Sequence, residues 1–200
     1  MKNLIKPILV LSISSILLTS CAKDETTTPT GPTYKNLVTY EAKILGGQTN
    51  STLGSFYSIS EDSVYFKAGA DLNPAKIDFI YYFGLNSGDS SVITAPSDPV
   101  FNLPSDQTPF TSVKNWTKKN NTTFLKLDLS SNVFAAMTND TILTSRLDSN
   151  FIATKITKLK IGDVVGFKTD AGKLGAYQVK AINNTNAIVR SITIDVKVQE

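Results

Sequence analysis

Histidine is absent from the 200-residue chain, and cysteine occurs once. Without imidazole there is no Ser-His-Asp or Cys-His nucleophilic site, no histidine acid–base chemistry and no zinc site of the Cys/His type. Charged residues make up only 18% of the chain, with a formal net charge of +3. Tryptophan occurs once. The apolar run at residues 8–18 is eleven residues long, whereas a membrane span needs about 20. A disulfide framework is excluded too, so the fold must rest on its core.

What is plentiful is polar and uncharged. Serine (20), threonine (23) and asparagine (15) together make 29% of the residues, alongside 11 glycines and 8 prolines. That mixture favours strands joined by many turns over helical bundles. The hydrophobic share of 41% is that of a globular chain.

The N-terminus carries an address. Lys2 and Lys6 precede the apolar run, which reads as a secretory signal over residues 1–20. Leu18-Thr19-Ser20-Cys21 resembles the lipobox of bacterial lipoproteins, where small residues precede a cysteine that is acylated and becomes the first mature residue. The resemblance implies lipidation of Cys21 with long acyl chains such as palmitate, several of which give lasting membrane attachment. Ala22 stands where an Asp would retain a lipoprotein at the inner membrane of enteric bacteria. Lys23-Asp24-Glu25 resembles the export signal of surface lipoproteins in some Gram-negative bacteria. The expected location is therefore the outer membrane, lipid-anchored and exposed at the cell surface, the periplasmic face being the alternative. The threonine- and proline-rich stretch that completes residues 21–33 reads as a flexible tether, leaving 34–200 as a single β-rich domain.

Loss of Lys2 and Lys6 with the signal leaves 18 basic and 17 acidic residues. Positive charge gathers only at Lys118-Lys119 and along Lys155, Lys158 and Lys160. Neither group makes the phosphate-neutralising face that nucleic-acid binding requires, so no nucleic-acid partner is expected.

Within the domain, Val38, Tyr40, Ala42 and Ile44 alternate with polar residues, which predicts a half-buried strand. Short strands are expected at 56–59 and 64–67. Residues 77–83 (IDFIYYF) are apolar on both faces, as in a central strand covered above and below. Residues 85–121, with four prolines, read as a long irregular segment of the kind that is functional or disordered. A strand is expected near 124–129, then a helical insertion at 131–148 capped by Ser131 and by Asn139 or Asp140. Residues 163–168, 174–182 and a final strand with Ile188, Ile192, Ile194, Val196 and Val198 on one face form a three-stranded meander. The predicted fold is mainly β: an antiparallel β-sandwich with a small helical insertion and a C-terminal three-stranded meander.

The mature chain also resembles a family of uncharacterised lipoproteins from surface-exporting bacteria. The resemblance rests on residues 77–84 (IDFIYYFG), 93–98 (ITAPSD), Gly166-Phe167-Lys168-Thr169 with Gly172-Lys173, and 194–198 (IDVKV). It implies a location and a fold, and no reaction.

Tests for chemistry leave little. A glycosidase needs two carboxylates about 5–9 Å apart, one with a raised pKa. Asp78 is the carboxylate of interest because Phe79 and Ile80 can desolvate it, but the reading favoured by the sequence is an edge residue or one salt-bridged near Lys76. Asp98 and Asp106 fall in the proline-rich segment without the spacing of a calcium loop. Residues 168–173 lack the glycine spacing of a phosphate loop and read as a hairpin turn. No catalytic residue, metal site or cofactor is expected, and the protein does not read as an enzyme.

An aromatic beside amides can hold the apolar face of a pyranose. Trp116 with Asn115 and Asn121 is the candidate ligand-binding group, the alternative being that Trp116 is a core residue. The expected function is non-catalytic capture of a polysaccharide or peptide ligand on the 85–121 segment. The second reading is a structural or assembly lipoprotein that meets an outer-membrane protein partner through an open strand edge or the helical insertion.

Overall fold

Alternation of apolar and polar side chains builds two five-stranded antiparallel sheets that face each other. The structure, a computed structural model, describes residues 33–84, 90–147 and 153–200. The signal segment, Cys21 and the tether up to residue 32 lie outside the described residues. Tyr34–Glu200 is one compact unit.

The first sheet contains β1 (Leu37–Gly46), β6 (Thr123–Leu127), β8 (Val164–Lys168), β9 (Leu174–Asn183) and β10 (Ser191–Gln199), in the order β1-β10-β9-β8-β6. The second contains β2 (Phe56–Ser58), β3 (Ser63–Tyr65), β4 (Phe79–Phe83), β5 (Ser91–Thr94) and β7 (Lys155–Ile156), in the order β3-β2-β4-β5-β7. This is an antiparallel β-sandwich, and β8, β9 and β10 are its C-terminal meander.

The inner faces meet in the main core. Phe79 and Tyr81 of β4 pack there with Phe167, Tyr177, Ile192, Ile194, Val196 and Val198 of the opposite sheet. Ile80 and Tyr82 point outward into a second apolar cluster with Phe56, Phe101, Phe110, Val113 and Trp116. β4 lies at the centre of its sheet and is buried on both faces, as its apolar sequence demands. It begins at Phe79 rather than at residue 77, because a 3-10 turn at Pro74–Lys76 delays the extended backbone.

Several expectations are corrected. Residues 85–121 are not irregular throughout: Ser91–Thr94 pairs with β4 as a strand. After it come 3-10 turns at Pro99–Asn102 and Thr111–Asn115, which lay Phe101 and Val113 on the outer face of the second sheet. The strand expected at 64–67 is β3 with an extended Phe66 after it, and it stops short of Lys67, where α1 (Lys67–Leu72) starts.

A further correction is Ile44, which is 44% exposed while Leu45 is fully buried. A β-bulge between Tyr40 and Lys43 shifts the register of β1 against β10. Ala42 sits there at φ 52, and its N–H donates to Asp195 Oδ1 at 2.8 Å. One extra residue reverses the alternation beyond it. Ile188 likewise leaves the core face, at 66% exposed, because the strand begins only at Ser191.

The helical insertion is α2 (Ser131–Ala136) and α3 (Thr141–Leu147). Ser130, rather than Ser131, caps α2 by accepting from the Val133 amide, and Asn139 Oδ1 accepts from the Thr141 amide at 3.1 Å. Phe134, Met137 and Leu143 cover the outer face of the first sheet over Val164 and Ala176.

Candidate ligand-binding site

A cleft of about 590 Å³ opens at the end of the sandwich where β1 begins and β10 ends. The first sheet contributes Val38 and Tyr40 from β1, Val198 and Gln199 from β10, and the β8–β9 turn at residues 169–173. The second sheet contributes Ile59 and Ser60 after β2, with Ala75, Lys76 and Asp78 before β4. Asn120 closes it from the segment leading into β6.

Asp78 is fixed by the way β4 starts. Its own amide donates to the Tyr57 carbonyl at 2.9 Å, and its Oδ2 accepts from the Ile59 amide at 2.8 Å. Burial pushes its carboxyl up to about 6; the negative charge of Asp170 adds to the rise and the Ile59 hydrogen bond opposes it. The expected alternative, pairing with Lys76, does not occur. Lys76 Nζ turns to Glu61 Oε1 at 2.5 Å. That bond, with another from the Tyr65 hydroxyl, holds the Glu61 carboxyl below its ordinary range.

Asn120 is 7% exposed. Its Nδ2 donates to the carbonyls of Ala75 and Ile77, each at 2.9 Å. Both amide hydrogens are thereby used, which fixes the orientation of the group and leaves Oδ1 as an acceptor without a donor among the described residues. Ile77 immediately precedes Asp78, so the Asn120 amide and the Asp78 carboxylate occupy one corner of the cleft.

On the facing rim, Gly172 takes φ 83 and closes the turn, with the Gly172 amide donating to the Thr169 carbonyl at 2.9 Å. Lys173 Nζ donates to the Gln199 carbonyl at 3.2 Å. Asp170 is held by Lys118 at 2.5 Å and accepts from the Asn121 amide at 3.3 Å; the Lys118 bond keeps its carboxyl below the ordinary range.

Trp116, Asn115 and Asn121 do not line this cleft, and the structure does not give Trp116 a free stacking face. Its ring lies in the second apolar cluster, 5.7 Å from the Phe56 ring, and its Nε1–H donates to Asp71 Oδ1 at 2.8 Å. The physical cause is the packing of the 99–116 stretch onto β4 and β2, which needs a large aromatic to close the cluster. Asn115 is exposed at the end of the Thr111–Asn115 turn. Asn121 is exposed, with Oδ1 accepting from the Ser97 hydroxyl at 2.7 Å.

The buried amide that faces the cleft is Asn120, one position earlier. Its burial has no local sequence signal; only the paired carbonyls of Ala75 and Ile77, far upstream, select it. Asp98 is also occupied: its carboxylate accepts from the Val100 amide at 2.9 Å and the Thr154 hydroxyl at 2.5 Å. Among the described residues no group of three or more acidic, Cys or His side chains could hold a metal ion. No helix among them is long and apolar enough to cross a membrane.

No protein-family model matches the chain, and no curated protein matches it. Among solved structures it is similar to the crystal structure of a DUF4466 family protein from Parabacteroides merdae, with a TM-score of 0.53 and 22% identity. The alignment covers 82% of this chain and 54% of that one, so the chain spans about half the length of that protein. Likeness at this identity bears on the β-sandwich fold alone.

Proposed function

We propose that the domain is a non-catalytic binding module that captures a glycan or a peptide in the cleft at the end of the sandwich. The observation that carries this reading is the cleft itself. Its volume of about 590 Å³ falls within the range of roughly 300–1,000 Å³ found for small-ligand sites, and a few polar groups converge among apolar walls. The binding surface is thus moved from Trp116 to Tyr40, Asp78 and Asn120.

The lipobox resemblance at Cys21 supports a lipid anchor in the outer membrane, with the domain offered at the cell surface. A non-catalytic role is favoured by the state of Asp170, which is tied to Lys118 and the Asn121 amide rather than left to work with Asp78. The assembly reading has less support at the final strand, because β10 is hydrogen-bonded on both sides, to β1 and β9.

Calorimetry of the full chain against soluble oligosaccharides and short peptides tests the reading. Ala171→Trp places an indole at the exposed turn on the cleft rim, and Trp116→Phe alters the site suggested by composition. Heat that is lost in Ala171→Trp and kept in Trp116→Phe supports capture in the cleft. A flat response across the panel, or heat indifferent to Ala171→Trp, overturns it.

A further inference from the structure

Asp78, Asp170 and Glu200 line the cleft, and among the described residues no cation is paired with Asp78. Among the described residues, the lysines of the neighbourhood are engaged elsewhere: Lys76 with Glu61, Lys118 with Asp170, and Lys43 with Asp62 at 2.6 Å. Lys173 reaches the Gln199 carbonyl across the rim. Asp78 Oδ2 takes one backbone hydrogen bond, and no described residue donates to its Oδ1. Asn120 adds a second free acceptor, held in place by its two donated bonds. Asn120 is more than nine-tenths buried, and no described residue donates to its Oδ1.

We infer that the ligand enters this cleft through a positively charged nitrogen, the lysine or arginine side chain of a short peptide, received by the free Oδ1 atoms of Asp78 and Asn120. The inference rests on the cleft being the capture site proposed above, and it specifies the ligand class. A neutral sugar can satisfy both acceptors by hydrogen bonding, but it leaves the buried negative charge without a counterion. A cation supplies the charge and the donors together. The apolar surfaces of Val38, Ile59 and Val198 suit the methylene stem of such a side chain. Tyr40 stands on the same wall, with Lys43 Nζ already 5.8 Å from its ring centroid. Lys173 on the opposite rim has further N–H donors for a peptide carbonyl.

The charged and titratable groups around Asp78 come from every element that borders it. They are Tyr40 on β1, Tyr57 on β2, Lys76 beside it in the chain, Asp170 and Lys173 on the β8–β9 turn, and Glu200 after β10. Of these, Asp170 is the group whose charge acts on the Asp78 carboxyl, in the direction that favours protonation. Acidification therefore removes the acceptor charge at Asp78 first, and cation binding weakens as it does.

The test uses acetylated, amidated tetrapeptides Ala-Lys-Ala-Ala, Ala-Arg-Ala-Ala and Ala-Gln-Ala-Ala, with maltohexaose as a neutral oligosaccharide. Each is titrated into the full chain at pH 7.5 and pH 5.0 by calorimetry, with the Ile59 amide followed by NMR as the cleft reporter. The inference expects the Lys or Arg peptide to bind and shift Ile59, with affinity falling roughly tenfold at pH 5.0 and lost in Asp78→Asn. Asn still accepts from the Ile59 amide, so the variant stays folded, and its thermal midpoint checks this. If the Gln peptide or maltohexaose shifts Ile59 as well as the cationic peptides do, indifferent to Asp78→Asn, the cation reading fails and capture in the cleft stands. If none of the four shifts Ile59, both readings fail.

Discussion

The Ile59 amide donates to Asp78 Oδ2 at 2.8 Å, tying the end of β2 to the residue before β4. This bond is too weak an aid to offset the burial of the carboxylate, whose pKa stands at about 6. A carboxyl raised in the folded state opposes folding while it is ionised, fully above pH 6, and the opposition fades as pH falls toward 4. Asp78→Asn should therefore raise stability at pH 7.5 and make no difference near pH 4. The full shift would correspond to about 3 kcal/mol, but the half-buried position reduces the expected gain to roughly 1–2 kcal/mol. Urea unfolding of the two proteins at both pH values measures it.

Trp116 belongs to the fold. Truncation to Ala empties space beside Phe56 and Phe110 and removes the donor to Asp71. Loss of a buried Trp side chain costs about 3–5 kcal/mol, a large share of a domain's total stability. Trp116→Ala should lower the denaturation midpoint steeply, and the wild-type fluorescence should be blue-shifted and poorly quenched by acrylamide.

The bulge in β1 holds Ala42 at φ 52, where an L side chain crowds its own carbonyl at a cost of about 1–2 kcal/mol. Glycine removes the crowding and gives back part of the gain through a freer unfolded chain. Ala42→Gly should stabilise the protein by roughly 0.5–1 kcal/mol. Asp195→Ala removes the acceptor of the Ala42 amide and should destabilise it by about 1 kcal/mol. Thermal melts of both variants give the two signs.

Gly175 lies where β9 passes under the Phe167 ring. A Cβ built there meets the Lys197 carbonyl oxygen at 2.6 Å and the ring closer still. Phe167 is fully buried in the main core and has no room to retreat. Gly175→Ala should cost about 1–3 kcal/mol by overpacking, read as a lower urea midpoint with an unchanged slope.

The parts of the fold that sequence made legible are those governed by local pattern. A strand apolar on both faces belongs at a sheet centre, and β4 is there. The hairpin at 164–183 and the final strand follow from turn residues between alternating stretches. The bulge at Ala42 has no such local sign, because its stabilising partner, Asp195, is far along the chain. Trp116 misled for the same reason: its neighbours in sequence are polar, and its neighbours in space, Phe56 and Phe110, come from a strand and a turn. Asp78 was legible as a desolvated carboxylate from Phe79 and Ile80. The rest of the cleft was not, since Tyr40, Asn120 and Lys173 reach it from separate segments that only the closed sandwich brings together.

The most direct measurement is the pKa of the Asp78 carboxyl, read by carbon-detected NMR of the full chain with and without saturating Ala-Lys-Ala-Ala. The account predicts a value near 6 in the free protein and a fall toward the ordinary value near 4 when the peptide is bound. A value that is already ordinary in the free protein, or one that the peptide leaves unmoved, would contradict it.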